Sequence, residues 1–178
     1  MTFKLMVATV AIMSVLAPPD NWKSDAANAK ISFTIKGPFG TVNGKFTGLK
    51  TEIRFDEKNV SGSSISASID AQTVSTGVGL RNRDLRKKEE WFNTDKYPLI
   101  SFRSKKTEKS GTSYKVLGEL TIKGITKPVE IPFTFTSKGN DGVFKGKFLI
   151  KREDYNLGKP GGSVGSEVTI TLEVPVKK

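Results

Sequence analysis

Residues 76–104, with the sequence TGVGLRNRDLRKKEEWFNTDKYPLISFRS, are the one stretch after Trp22 in which the chain stops alternating between apolar and polar residues. Leu80 to Phe92 contains neither Gly nor Pro and is rich in Glu, Lys, Arg and Leu, a composition that favours a helix. Pro98 would end any helix, and the alternation typical of a strand resumes at Ile100. The sequence therefore predicts a single short helix inserted among strands.

The segments on both sides of this stretch alternate with a period of two, as expected for strands with one buried face and one wet face. Turns containing Gly, Asn or Asp separate them, and the polar run 105–113 is predicted to be a hairpin loop. Pro128 and Pro132 indicate an edge or a locally unpaired position in their strand. About eight short antiparallel strands predict a sandwich or a barrel. Because an inserted helix suits a barrel that needs a lid, the predicted fold is an all-β, antiparallel eight-stranded β-barrel with one short helix mid-chain.

The composition predicts one domain with a basic surface. The chain has 178 residues, 36% of them apolar, which is enough to bury one core. The 29 Lys and Arg against 18 Asp and Glu give a net charge of +11, which is compatible with an anionic partner. These basic residues are spread along the chain at positions that indicate solvent-facing surfaces. Because Cys and His are absent, the chain has no disulfide, no thiol nucleophile and no histidine base or metal ligand.

The N-terminal segment is predicted to be a secretory signal. Lys4 is followed by an apolar run from Leu5 to Ala17. A helix of this length rises about 20 Å, which is short for a bilayer span and typical of a signal-peptide core. We therefore expect residues 1–21 to be a signal peptide and short lead-in with an undetermined cleavage point, residues 22–178 to be the barrel domain, and the protein to be periplasmic or secreted.

The motifs that could carry catalysis do not fit an enzyme. Residues 161–165 have the letters of the G-x-S-x-G nucleophile elbow, but that elbow needs a strand before it, a helix after it and a histidine base. Glu89 and Glu90 are adjacent in sequence, so on a helix they point about 100° apart and do not converge on one reacting atom. The Asp residues are isolated from one another, unlike those of metal-binding loops. The sequence therefore predicts a non-enzymatic protein with no metal and no cofactor.

The basic helix also raises the question of nucleic acid, because Trp91 and Phe92 lie close to its Arg and Lys residues. Stacking platforms for nucleic acid use exposed aromatic side chains. Phe92 follows Leu85 by seven residues, so both would share one helix face and dock it onto the barrel. The sequence therefore predicts no nucleic-acid partner.

A set of apolar positions is expected to face the barrel interior. In an eight-stranded barrel such residues either fill the interior or line a cavity for one slender ligand, and the sequence leaves both possibilities open. The positions are Phe33, Ile35, Ile69, Ile100, Phe102, Leu120, Phe133, Phe148 and Ile170.

Three ordered motifs resemble the signature of the bacterial YceI-like, polyisoprenoid-binding family. They are RNRDL with EWFN, KYP and ISFRS (residues 81–104), GELTIKGITK (residues 118–127) and FLIKREDY (residues 148–155). Where the family commonly reads R-D-x-H-L, this chain has Asn82 in place of the Asp and Asp84 in place of the His. The resemblance covers about residues 22–176. It implies a lipocalin-like antiparallel barrel with a helix beside it, export to the periplasm, and a long isoprenoid held in the barrel.

The resemblance therefore implies a non-catalytic exported protein that holds an isoprenoid lipid, of the quinone or polyprenyl phosphate type, for storage or transport. The residues expected at the barrel mouth or head group are Arg81, Asn82, Asp84, Leu85, Trp91 and Phe92. Peripheral contact with an anionic membrane surface is a further expectation, and a homodimer is left open. The alternative hypothesis is a solidly packed barrel that acts as a structural or protein-interaction module.

Overall fold

The computed structural model describes residues 19–178, so the core of the predicted signal peptide lies outside the described residues. The described part contains ten strands and one α-helix. The strands are β1 (Asn21–Ser24), β2 (Lys30–Gly37), β3 (Gly40–Phe46), β4 (Lys50–Arg54), β5 (Ser64–Asp70), β6 (Leu99–Ser110), β7 (Ser113–Ile122), β8 (Ile125–Lys138), β9 (Asp141–Lys151) and β10 (Glu167–Lys177). The helix, α1, spans Gly79–Lys87, and short 3₁₀ turns occupy Val60–Gly62, Ala71–Thr73 and Arg152–Tyr155.

Eight of these strands close into a ring, with β4 to β10 hydrogen-bonded in sequence order and β1 inserted between β4 and β10. All pairings are antiparallel. Strand β1 is short, and it pairs through Trp22 with Ile53 on one side and through Lys23 with Lys177 on the other. The predicted eight-stranded antiparallel barrel with one short helix is therefore confirmed.

The remaining two strands, β2 and β3, form a hairpin. It extends the wall at the end of the barrel away from β1. Strand β2 pairs with β10 from Ile35 opposite Val168 to Lys30 opposite Glu173. Strands β1 and β2 therefore follow one another along the same edge of β10, and β9 occupies the opposite edge. A bridge between Lys45 and Ser75 connects the hairpin to the segment that follows β5.

The prolines of β8 occupy an unpaired edge, as predicted. Pro128 and Pro132 lie opposite β7 residues, whereas pairing of β8 with β9 begins only at Phe133. Because proline lacks a backbone N–H, it is tolerated where the second neighbour is missing. The predicted loop at 105–113 is wrong, however, because β6 continues to Ser110 and only two residues connect it to β7. Residues 105–113 are nearly all polar, so they lack the alternation of apolar and polar residues by which a strand is predicted.

The helix α1 is shorter than the predicted 80–92 stretch because the chain turns at Lys88. The backbone N–H groups of Phe92 and Thr94 donate to the carbonyls of Leu85 and Arg86, at 3.0 and 2.8 Å. These bonds satisfy carbonyls at the end of the helix, where no Gly or Pro marks a stop. Phe92 is therefore buried as predicted, but from a turn rather than from the helix face. Within residues 19–178, no helix combines the length and the apolar character needed to cross a bilayer.

One end of the barrel is packed solid by aromatic side chains. Phe55, directly after β4, is 1% exposed, and its ring meets four other rings edge to face at centroid distances of 5.0–5.7 Å. The indole Nε1 of Trp22 donates to the carbonyl of Phe55 at 3.0 Å, which ties the closing strand β1 to this cluster. Edge-to-face pairs of this kind add to the stability gained from burial. We call this the closed end; the rings around Phe55 are Tyr114, Phe133, Phe135 and Phe144.

The packing of the closed end predicts that alanine substitutions at two phenylalanines lower the free energy of unfolding by very different amounts. We expect Phe55→Ala to lower the free energy of unfolding by about 3–5 kcal/mol, because it removes a buried ring and leaves a cavity. Phe39→Ala is the matched control, since the Phe39 side chain is fully exposed at 102% and should cost less than about 0.5 kcal/mol. Urea unfolding of both variants measures the difference. Equal losses would contradict this account of the closed end.

Candidate ligand-binding cavity

The other half of the barrel is hollow. A cavity of about 760 Å³ lies between the closed end and the opposite end, where it opens to solvent. Its volume falls in the range of small-molecule sites, and its wall is overwhelmingly apolar. We call its opening the mouth, and three segments form it: the β2–β3 turn, residues 76–81 at the start of α1, and the loop that contains Val164. The alternative hypothesis of a solidly packed barrel is therefore wrong for this half of the molecule.

All nine positions predicted to face the interior line this cavity. Strand alternation places them there, since inward side chains recur at every second residue. Most of them keep partial solvent accessibility inside the wall, because their surfaces face the open cavity rather than a neighbouring side chain. The nine are Phe33, Ile35, Ile69, Ile100, Phe102, Leu120, Phe133, Phe148 and Ile170.

Two inward glycines make room for aromatic rings, and sequence reasoning missed them. Gly44 on β3 lies opposite Phe33 on β2, and a Cβ atom at Gly44 would overlap the Phe33 ring. A Cβ at Gly118 on β7 would lie 2.6 Å from the ring of Phe102. The rings can therefore lie against the barrel wall instead of projecting across the interior. A glycine inside an otherwise alternating strand is the available signal for such a close approach.

Five of the six predicted mouth residues line the cavity: Arg81, Asp84, Leu85, Trp91 and Phe92. Phe92 packs edge to face on Phe46, with ring centroids 5.7 Å apart. The Trp91 ring lies against Gly158, where a Cβ would approach it to 2.8 Å. These contacts fix α1 and the turn after it beside the mouth.

Asn82 is the exception, because its side chain is hydrogen-bonded to Thr76. Its Oδ1 accepts hydrogen bonds from the backbone N–H of Thr76 at 2.7 Å and from the Thr76 hydroxyl at 2.8 Å. Asn82 is not among the residues that line the cavity, so its predicted role at the mouth or head group stays a prediction. Asn82 instead holds the segment that leads into α1.

The charged groups near the mouth differ in whether they are paired. Asp84 lies 2.9 Å from the Nζ of Lys88 and 3.7 Å from the Nη2 of Arg83, so its charge is compensated. Arg81 is exposed and lines the cavity, and no carboxylate of residues 19–178 lies within 4.0 Å of its guanidinium. An anionic group at the mouth would therefore meet Arg81 as an uncompensated positive charge.

One buried cation organises the loop on the far side of the mouth. Arg152, directly after β9, is 2% exposed. Its guanidinium donates hydrogen bonds of 2.6–3.1 Å to the backbone carbonyls of Leu157, Lys159, Val164 and Gly165. Glu153 lies 3.0 Å from its Nη2, which neutralises the charge. A buried charge is tolerated only when it is paired and hydrogen-bonded, and here the partners of Arg152 are the backbone carbonyls of this loop.

The groups considered for catalysis are scattered. Ser163 lies in an exposed loop without the strand-turn-helix of a nucleophile elbow, and Glu89 and Glu90 are exposed. In the described part of the chain, no three His, Cys, Asp or Glu side chains come close enough to hold a metal ion. The feature that stands out chemically is thus the apolar cavity.

Burial also perturbs Tyr155, in the 3₁₀ turn after β9. Its side chain is 1% exposed, and burial together with the neighbouring charge of Asp154 raises its pKa to about 12 from an ordinary value near 10.0. The folded state therefore holds its proton through a pH range in which the unfolded chain releases it. The stability that this proton contributes is present below pH 10 and is lost as the pH rises towards 12.

The raised pKa of Tyr155 predicts that the wild type and Tyr155→Phe differ in unfolding free energy by an amount that depends on pH. Between pH 10 and 12, the unfolding free energy of the wild type should fall relative to the variant by about 2–3 kcal/mol. Urea unfolding of both proteins across this range measures the gap, and titration of the many lysines cancels in the comparison. A gap that stays constant with pH would contradict the burial of the Tyr155 hydroxyl.

The chain resembles known proteins over nearly all of its described length. The sequence profile of the YceI-like domain matches residues 22–176. A UPF0312 protein of Yersinia enterocolitica is 33% identical over 164 residues, which covers 84% of this chain and 81% of that protein. Burkholderia cenocepacia BcnA has a similar crystal structure, with a TM-score of 0.81 at 29% identity over 85% of this chain and 98% of BcnA.

A third neighbour shares the fold at lower identity. The structure of a polyisoprenoid binding domain from Saccharophagus degradans, implicated in plant cell wall breakdown, superposes with a TM-score of 0.67 at 15% identity. The match covers 88% of this chain and 97% of that domain. The barrel, the mid-chain helix and the profile match over 22–176 together confirm the resemblance seen in the three motifs. This chain belongs to the YceI-like domain family.

Proposed function

We propose that the protein is a non-catalytic carrier that holds the tail of an isoprenoid lipid in its barrel, for storage or transport. The observation that carries this proposal is the apolar cavity, which is closed at one end by the rings around Phe55 and open at the other. A cavity of this shape accepts a slender apolar chain from one end. The polyisoprenoid binding domain of Saccharophagus degradans, which has the same fold, supports this choice of ligand class.

The free energies expected for each contact assign most of the affinity to the tail of the lipid. Burial of one CH₂ group is worth about 0.8 kcal/mol, so one five-carbon isoprene unit contributes at most roughly 3–4 kcal/mol. A cavity of about 760 Å³ has room for many water molecules. Water gains few hydrogen bonds from an apolar wall, so an apolar tail that displaces it gains affinity.

The head group adds less free energy and sets the orientation. An exposed ion pair with Arg81 contributes about 0–1 kcal/mol. A quinone or a polyprenyl phosphate would place its polar end at the mouth, beside Arg81, while its tail lies among the cavity side chains. The proposal is non-catalytic because the cavity wall supplies apolar side chains, and because the sequence has no His or Cys to act as a base or nucleophile.

A filled cavity should exclude the ligand. Ile170 and Thr171 are neighbours on β10, with Ile170 lining the cavity and Thr171 exposed on the outer face. We expect wild-type protein purified without detergent from its native host to carry an isoprenoid lipid, detected by native mass spectrometry and lipid extraction. Ile170→Trp should lose most of that lipid because the indole occupies its space.

Thr171→Trp is the matched control, since it adds the same side chain outside the barrel and should retain the lipid. Circular dichroism and urea unfolding show whether Ile170→Trp is folded. If Ile170→Trp does not fold, Ala67→Trp, which fills the cavity from β5, serves as the second blocking variant. Wild-type protein that carries no lipid and takes none up from added isoprenoid quinone or polyprenyl phosphate would refute the proposed function.

We further propose that the chain is exported, on the basis of the apolar run Leu5 to Ala17 after Lys4. Expression in the native host should yield a mature protein that begins between residues 18 and 22 and is recovered from the periplasm or the medium. Intact-mass measurement identifies the first residue. A double variant with Val7→Asp and Val10→Asp places two charges in the apolar run after Lys4. This variant should remain unprocessed in the cytoplasm. Recovery of unprocessed wild-type chain from the cytoplasm would contradict export.

A further inference from the structure

The mouth of the cavity carries an apolar lip that the folded chain leaves uncovered. Phe39, at the tip of the β2–β3 turn, is 102% exposed, and Val78 and Leu80 at the start of α1 are 44% and 63% exposed. All three also line the cavity, so apolar surface continues from the interior to the outside of the molecule. Large exposed apolar groups gathered at one opening indicate an interaction site, whereas single scattered ones do not.

Basic side chains flank this lip on each of the three segments that form the mouth. Lys36 precedes the β2–β3 turn, Arg81 follows Leu80 on α1, and Lys159 lies in the loop held by Arg152. Each is exposed, and across residues 19–178 none of the three has a carboxylate within 4.0 Å. Among the described residues that line the cavity, Asp84 is the one acidic residue, and it is paired with Lys88.

We propose that this lip docks on the surface of an anionic lipid bilayer, with Phe39, Val78 and Leu80 in the interfacial region and the three cations at the head groups. Apolar side chains ringed by basic residues match that interface, because burial of the apolar groups and attraction to anionic lipids act together. A second copy of the chain fits less well, because its own Lys36 and Arg81 would face those of the first.

Docking in this orientation points the cavity at the acyl region of the bilayer. A lipid could then pass between membrane and barrel along a continuous apolar surface, without exposing its tail to water. That passage rests on the proposed carrier function, whereas docking itself depends only on the lip and its charges.

Cosedimentation with vesicles of equal parts phosphatidylcholine and phosphatidylglycerol tests the proposal. We expect the mature protein to bind these vesicles and to bind pure phosphatidylcholine vesicles far more weakly. Phe39→Ser should weaken binding by about tenfold, because it removes the most exposed apolar group without touching the core. Leu80→Ser should weaken binding as well, whereas Leu149→Ser, a similarly exposed leucine on the outer wall of β9, should not.

The charges have a matched control at the opposite end of the barrel. Lys36 and Lys138 both flank hairpin turns and both are exposed, but Lys138 is the last residue of β8 and lies at the closed end. Lys36→Gln should weaken vesicle binding about fivefold, and Lys138→Gln should leave it nearly unchanged. Equal losses would mean that only the overall charge of +11 attracts the protein, and would overturn the docking surface.

Two further outcomes would also overturn it. One is the absence of vesicle binding by folded wild-type protein. The other is a Phe39→Ser variant that changes the sedimentation coefficient of the protein alone and not its vesicle binding, which would assign the lip to contact between copies. Lipid extraction from the same samples keeps the two proposals apart, since docking by a protein that carries no isoprenoid and takes none up refutes the carrier function and supports the docking surface.

Discussion

The architecture depends on the pairing of β10 along both of its edges. One edge is hydrogen-bonded to β9 over eleven residue pairs, from Glu167 opposite Lys151 to Lys177 opposite Asp141. The other edge is shared by β2 and β1, which come from the N-terminal part of the domain. Because a barrel exists only when its first and last strands meet, this contact between the two ends of the domain creates the enclosed interior. The cavity exists because of that closure.

The division of the β10 edge between two strands makes the ends of the barrel different. Strand β1 brings Trp22 to the closed end, where its indole is hydrogen-bonded to the Phe55 carbonyl and five rings fill the interior. The β2–β3 hairpin extends the wall at the other end, where Gly44 lets the Phe33 ring lie back against the wall. An eight-stranded barrel is just wide enough for side chains to fill it. Whether it is filled or hollow therefore depends on where the rings are aimed, which differs between the two ends.

Two polar arrangements hold the segments around the mouth, in addition to the ring contacts of Trp91 and Phe92. Asn82 fixes the segment before α1 through Thr76, and Arg152 holds the opposite loop through four backbone carbonyls. Hydrogen bonds of this kind have directional requirements that apolar contacts lack, so they fix the conformation of the backbone. Phe39 and Leu80 lie exposed at the same mouth.

The sequence alone determined which faces of the strands point inward, because that information is local and has a period of two. Positions such as Phe102, Leu120 and Ile170 could be assigned to the interior one strand at a time, and Pro128 and Pro132 marked an unpaired edge because proline lacks a donor. The three motifs identified the family. Only the tertiary structure decided that the interior is hollow, that α1 ends at Lys87, and that Asn82 bonds to Thr76 while Phe39 and Leu80 flank one mouth. The hollow interior and the shared mouth depend on contacts between residues far apart in the chain. The end of α1 and the bond from Asn82 to Thr76 depend on local backbone turns. The spacing of residues along a strand encodes neither.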